Sequence, residues 1–165
     1  MGATSGRVIG AVAAGVAAVA VLAGSTPADM ITKRSLSLAD ARKIGAAAEA
    51  EAKKNNWKVS IAVVDDGGHL VYFQRIDDTL FASVDIAIGK ARTAVSFKRP
   101  TKALEDAINT GQNNAILTFP GAVPREGGLP IMADGQMVGG IGVSGVKSSE
   151  DAQVAKAGAD ALLSK

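Results

Sequence analysis

The chain has 165 residues, with 18 Lys and Arg against 16 Asp and Glu, a net charge of +2, one histidine and no cysteine. The missing cysteine removes disulfides, thiolate metal sites and thiol catalysis together. Near-balanced charge, aromatic residues at only 4% and no zinc-finger or RNA-recognition spacing exclude a basic nucleic-acid surface.

Arg7 is the only charged residue before Ser25, and residues 8–23 are an uncharged run of Val, Ala, Ile, Leu and Gly. Ala23-Gly24-Ser25 closes that run with small residues. This is the anatomy of a secretory signal, residues 1–25. The run falls short of the ~20 residues a bilayer requires. A secreted or periplasmic protein is expected, with no stable membrane anchor after cleavage. No twin arginine is present, so the general route fits. Residues 26–35 read as a polar linker and residues 36–165 as one domain.

A first helix starts at Ser37, where Ser37-x-x-Asp40 reads as a capping box. Leu38, Ala41, Gly45, Ala48 and Ala52 form a stripe of small residues along it, and Asn55-Asn56 ends it. Residues 57–65 read as a strand rich in Val and Ile. Asp65-Asp66-Gly67-Gly68 is a hairpin turn and residues 69–75 the returning strand. A second helix spans residues 83–97 with Val84, Ile88, Ala91 and Val95 as its apolar set, stopped by Pro100. Thr101 caps a third helix running to Gly111. Residues 115–118 read as a third strand.

Residues 119–145 hold three of the five prolines and many of the glycines. They read as a loop, a strand at 129–133, an Asp134-Gly135 hairpin turn and a strand at 136–143. Gly139, Gly140 and Gly142 lie inside that last strand, where glycine packs nothing and marks close approach of a backbone, a subunit or a ligand. Ser148-x-x-Asp151 reads as a second capping box, opening a C-terminal helix. Helices placed between hairpins indicate an α+β fold with a mainly antiparallel sheet.

Gly140-x-Gly142-x-x-Gly145 has the form of a dinucleotide fingerprint, but its glycines fall within a strand and no second parallel strand can follow. His69, the only histidine, reads either as a haem ligand or proton shuttle, or as a polar residue after a turn. Lys90, Arg92, Lys98 and Arg99 read either as a solvated helix end or as carboxylate-recognising cations. Pro124-Arg125-Glu126-Gly127-Gly128 sets a charged pair in a Gly/Pro loop, where sites concentrate. No GxSxG, HExxH or other nucleophile–base motif stands out.

Taken together, several segments resemble the GlcG/HbpS family. They are Ile61 to Asp65 followed by Gly67-Gly68-His69-Leu70, then Lys90-Ala91-Arg92-Thr93-Ala94-Val95, then Arg99-Pro100-Thr101 and Phe119-Pro120-Gly121. Gly127-Gly128-x-Pro130-Ile131 and Gly139 to Gly145 complete the series. The likeness runs over essentially the whole chain after the signal. It implies a five-stranded, mainly antiparallel, profilin-like sheet flanked by helices. It implies homo-oligomers, octamers in some members, and haem binding in the secreted branch. The C-terminal domain of PduO-type cobalamin adenosyltransferases, also linked to haem, is a relative. Haem-binding members carry an acidic-x-x-acidic pair on the second helix. Here Asp85 matches the first acid and Ile88 stands at the second, and Ala122 follows Pro120-Gly121 where some members have threonine.

The expected protein is therefore a secreted homo-oligomer binding haem or another small planar or anionic ligand. Its site would lie where Phe119, Pro120 and Gly121, with Arg125, Glu126, Gly127 and Gly128, meet the basic end of the second helix. Phe119 would stack on the ring, Lys90 or Arg99 would meet a carboxylate, and His69 is a candidate iron ligand. The rival expectation is an enzyme acting on a small organic acid in the same cleft, with His69 or Lys90 as acid or base. A third is a structural accessory that binds a partner protein and no ligand.

Overall fold

Ser37 begins the first helix, α1 (Leu38–Lys54), as an N-cap whose Oγ accepts from the Asp40 amide at 3.1 Å. The Asp40 carboxylate turns back to the Ser37 hydroxyl at 2.7 Å rather than to its backbone amide. Of the expected stripe, Ala41, Gly45, Ala48 and Ala52 are buried, together with Ile44, whereas Leu38 in the first turn is exposed. The computed structural model describes residues 1–2 and 29–162, so the signal reading of residues 1–25 falls almost entirely outside it. The folded unit begins at Thr32. Leu36 ties it down: its amide donates to Val138 O at 3.1 Å and its side chain lies against Gly139.

Four strands, β1 (Ser60–Asp65), β2 (Leu70–Arg75), β3 (Gly128–Ala133) and β4 (Gln136–Ser144), form one antiparallel sheet in the order β2-β1-β4-β3. The central strand β1 is apolar on both faces, because both faces are covered. Ile61 and Val63 point to a core shared with α1 and α4 (Ser148–Asp160), while Ala62 and Val64 point to α2 (Ala82–Phe97). The β3–β4 turn has positive φ at both Asp134 (48°) and Gly135 (76°), the geometry that the Asp-Gly dipeptide favours. Pro130 is tolerated because β3 is an edge strand.

The expected fifth strand does not form among the described residues, and the sheet there has four strands rather than five. Residues 115–118 belong to a 3₁₀ helix, Asn114–Thr118. The Thr118 hydroxyl donates to Ala115 O at 2.8 Å, closing the turn locally. Only Ile116 of this run is buried, and Leu117 is 62% exposed. So short an apolar run has no buried face with which to hold a strand register.

Two helix starts are also shifted. The third helix, α3 (Thr101–Asn109), has Pro100 as its N-cap. Thr101 is released to bind β3: the Gly128 amide donates to its Oγ1 at 2.9 Å. The cap of α4 is Lys147, whose amide donates to Glu150 Oε2 at 3.1 Å. Asp151 thereby turns inward instead of serving the expected capping box.

The seat of α2 explains the glycines of β4. The helix places Ala87 and Ala91 directly over that strand. A Cβ on Gly142 would collide with Ala87 O and would stand 2.5 Å from Ala91 N, and one on Gly140 would stand 2.7 Å from Val95 Cγ2. The approaching group is thus a helix of the same chain. The helix buries Ala87, Ala91, Ala94 and Val95, whereas Val84 and Ile88 of the expected apolar set are only half-buried. Gly142→Ala is expected to lower stability by about 1–3 kcal/mol, the usual cost of overpacking a rigid contact, read as a reduced midpoint in urea unfolding.

Candidate functional site

α2 presents three flanks. One rests on the sheet; each of the others borders a concavity. Of the residues expected to form a single cleft, His69, Phe119, Pro120 and Gly121 line one hollow, Lys90 and Arg125 line the other, and Arg99, Glu126, Gly127 and Gly128 line neither.

The larger is an open groove of about 650 Å³ between α2, the β1–β2 turn and the loop after the 3₁₀ helix. Asp85, Ile88, Gly89, Arg92 and Ser96 reach it from α2 at helical spacing. The loop brings Phe119, Pro120, Gly121 and Val123. Two contacts fix that loop on the helix. The Val123 amide donates to Thr93 Oγ1 at 2.8 Å, and a Cβ on Gly89 would collide with Val123 Cγ2. Gly121 takes a left-handed φ of 77° that turns the chain. Phe119 is 50% exposed and sits edge-on to Phe97, with ring centroids 5.3 Å apart.

The turn brings His69 to the groove. Asp65 Oδ1 accepts from the Gly67 and His69 amides at 2.9 and 2.8 Å and lies 3.4 Å from His69 Nδ1. Burial raises the Asp65 carboxyl, but those amide donors outweigh it and hold the group below the usual aspartate range. The imidazole is 84% exposed. Arg92 closes the turn end of the groove by donating from Nε to Gly68 O at 3.1 Å. Arg92 enters the sequence reading only through the basic cluster and the Lys90–Val95 segment of the family likeness, and Val123 does not enter it at all. Among the described residues no group of three or more His, Cys, Asp or Glu could hold a metal ion.

Lys90, Arg125, Gly127 and Gly128 lie on the other side of α2. Lys90 is 1% exposed, and its Nζ donates to Val143 O and to Asp151 Oδ2, both at 2.8 Å. Burial draws the Lys90 ammonium below the usual lysine range, opposed by Asp151. Burial likewise raises the Asp151 carboxyl, opposed by Lys90 and by the Val146 amide. Gly127 and Gly128 are glycines for a steric reason: added Cβ atoms would stand 2.8 Å from Lys90 Nζ and 2.5 Å from Lys90 O. The Glu126 amide donates to Glu105 Oε2 at 2.9 Å. Arg125 Nε donates to Ser148 Oγ at 3.0 Å. Arg99 is exposed beyond the left-handed cap at Lys98 and lines neither concavity.

The Lys90–Asp151 pair is a buried, hydrogen-bonded ion pair rather than part of a solvated cationic helix end. Its hint in the sequence is a lysine set within Ile-Gly-Lys-Ala, among small and apolar residues. Lys90→Met is expected to destabilise the fold by about 3–5 kcal/mol by leaving Asp151 unpaired. The double variant Lys90→Met/Asp151→Leu should recover most of that loss, and urea unfolding of the three proteins measures both.

Comparison with known proteins agrees with this architecture. The family model described as haem degrading protein HbpS-like matches residues 36–160. Protein GlcG of Escherichia coli (strain K12) is 49% identical over 115 residues, covering 70% of this chain and 85% of GlcG. A double mutant of Streptomyces reticuli HbpS superposes with a TM-score of 0.77 at 35% identity, over 92% of this chain and 99% of HbpS. The PduOC:heme complex superposes with a TM-score of 0.72 at 30% identity, over 77% of this chain and 94% of that one. The match to the family model takes in every helix and strand from α1 to α4, and the chain belongs to the HbpS-like family.

Proposed function

We propose that the groove between α2 and the Phe119–Val123 loop binds haem, and that the protein is an exported, homo-oligomeric small-ligand-binding protein. The observation that carries the reading is one groove pairing an aromatic and aliphatic wall with a single fixed cation. Phe119, Pro120, Ile88 and Val123 form the wall, and Arg92 is the cation. A volume of about 650 Å³ lies within the ~300–1,000 Å³ typical of small-ligand sites. Haem offers a flat apolar ring, two carboxylates and an iron centre. Phe119 and Ile88 would face the ring, Arg92 would meet a carboxylate as a planar fork, and His69 is the groove's imidazole, able to serve as an iron ligand. The groove holds no cage of acids, so shape and charge carry most of the affinity in this reading. The family's description and the haem-bound PduOC neighbour support the ligand class.

Export rests on residues 1–25, and protein collected outside the cell should begin near Ser25 by N-terminal sequencing. Self-association is supported by the apolar side chains left on the surface, chiefly Phe81 at 82% and Leu80 at 69% exposed. A closed homo-oligomer is expected by light scattering, and a monomer would refute it.

Hemin titration followed in the Soret region tests the groove. Arg92→Ala and Phe119→Ala should each weaken binding by about tenfold, the scale of one charge-assisted contact or one aromatic face. His69→Ala should alter the band position more than the affinity, and Arg99→Ala should change neither. A parent protein that fails to bind hemin, or groove variants that bind as well as the parent, would sink the proposal.

A further inference from the structure

We propose that the second concavity, on the Lys90 side of α2, is a separate binding site for a short-chain monocarboxylate. This pocket of about 240 Å³ opens between the first turns of α2 and α4, and it does not depend on the haem reading of the groove.

The pocket holds hydrogen-bond donors without acceptors. An ammonium has three N–H donors; the buried Lys90 uses two, on Val143 O and Asp151 Oδ2, leaving a third. Ser83 lines the pocket at 3% exposure, and its hydroxyl has no hydrogen-bond partner among the described residues. Ser144, 6% exposed and also lining the pocket, is in the same position. Arg125 gives Nε to Ser148 and approaches Glu105 only to 4.0 Å, so part of its fork remains available. First-turn residues of both helices line the pocket, Ala82 and Ser83 from α2 and Ser148 and Asp151 from α4.

The one acid inside already accepts on both oxygens: Asp151 Oδ2 from Lys90 at 2.8 Å and Oδ1 from the Val146 amide at 3.2 Å. What remains unmet is an acceptor carrying negative charge. A monoanion is favoured over a phosphate dianion, because the buried Asp151 carboxylate repels the second charge. Leu80, Ile86 and Val146 supply an apolar wall for a short alkyl chain. The volume falls below the ~300 Å³ lower end of usual ligand sites, which limits the guest to a few heavy atoms.

Equilibrium dialysis of the full-length protein against radiolabelled butyrate tests the site whatever the oligomer size. One saturable site per chain is expected, weakened about tenfold by Ser83→Ala and by Arg125→Ala and unchanged by Phe119→Ala. Both pocket substitutions leave the Lys90–Asp151 pair intact, and thermal unfolding confirms that each variant is folded. Hemin binding should be unaffected by butyrate and by Ser83→Ala, so the two sites succeed or fail separately. Absence of saturable butyrate binding, binding unchanged in both pocket variants, or displacement by inorganic phosphate at lower concentration than by acetate would overturn the proposal.

Discussion

The close contact between α2 and β4 is the constraint from which the remaining architecture follows. Gly140 and Gly142 remove the Cβ atoms that would hold the helix off the sheet, and Ala87 and Ala91 remove bulk from the helix side. The backbones therefore approach more closely than ordinary side-chain packing allows. The helix rests on the sheet along one side and leaves two lateral flanks. Each flank then borders a concavity instead of a continuous core.

The buried ion pair acts on the same helix from its side. Lys90 reaches from α2 to Asp151 in the first turn of α4 and to the carbonyl of Val143 in β4. One side chain thus links the helix on one face of the sheet to a helix on the other. Such a pair adds little net stability when intact, since desolvation offsets its Coulomb attraction, but breaking either half is costly. Its structural effect is to fix where the α4 first turn and the Gly127–Gly128 segment sit. Lys90 is consequently unavailable to the groove, and the residues that read as one site in sequence separate into an aromatic groove and a donor-rich pocket.

The groove is assembled from short-range devices of different kinds. Asp65 organises the turn that carries His69. Thr93 and the absent side chain of Gly89 hold the Phe119 loop against α2. Arg92 braces the turn through Gly68. None of these contacts links residues of unusual type. Their arrangement alone puts an exposed aromatic side chain and a cation in one groove, the combination that a flat ring with acidic substituents needs.

Local chemistry was legible in the sequence: the Ser37 cap, the β1–β2 hairpin, the Asp-Gly turn, the helices and the small-residue stripes all follow from backbone preference and periodicity. The glycines of β4 announced a close approach, though not its partner. The tertiary structure decided everything that depended on a residue distant in sequence. Whether residues 115–118 paired as a strand turned on a free sheet edge with a face to bury, and the run turned into a 3₁₀ helix. Whether Asp151 capped its helix or entered the core turned on Lys90, 61 positions earlier. Which arginine reached the groove turned on the helix ending at Phe97, which puts Arg92 on the flank and Arg99 beyond it. Periodicity records how a residue relates to its own element; the partner across the fold is set by packing, which no local pattern encodes.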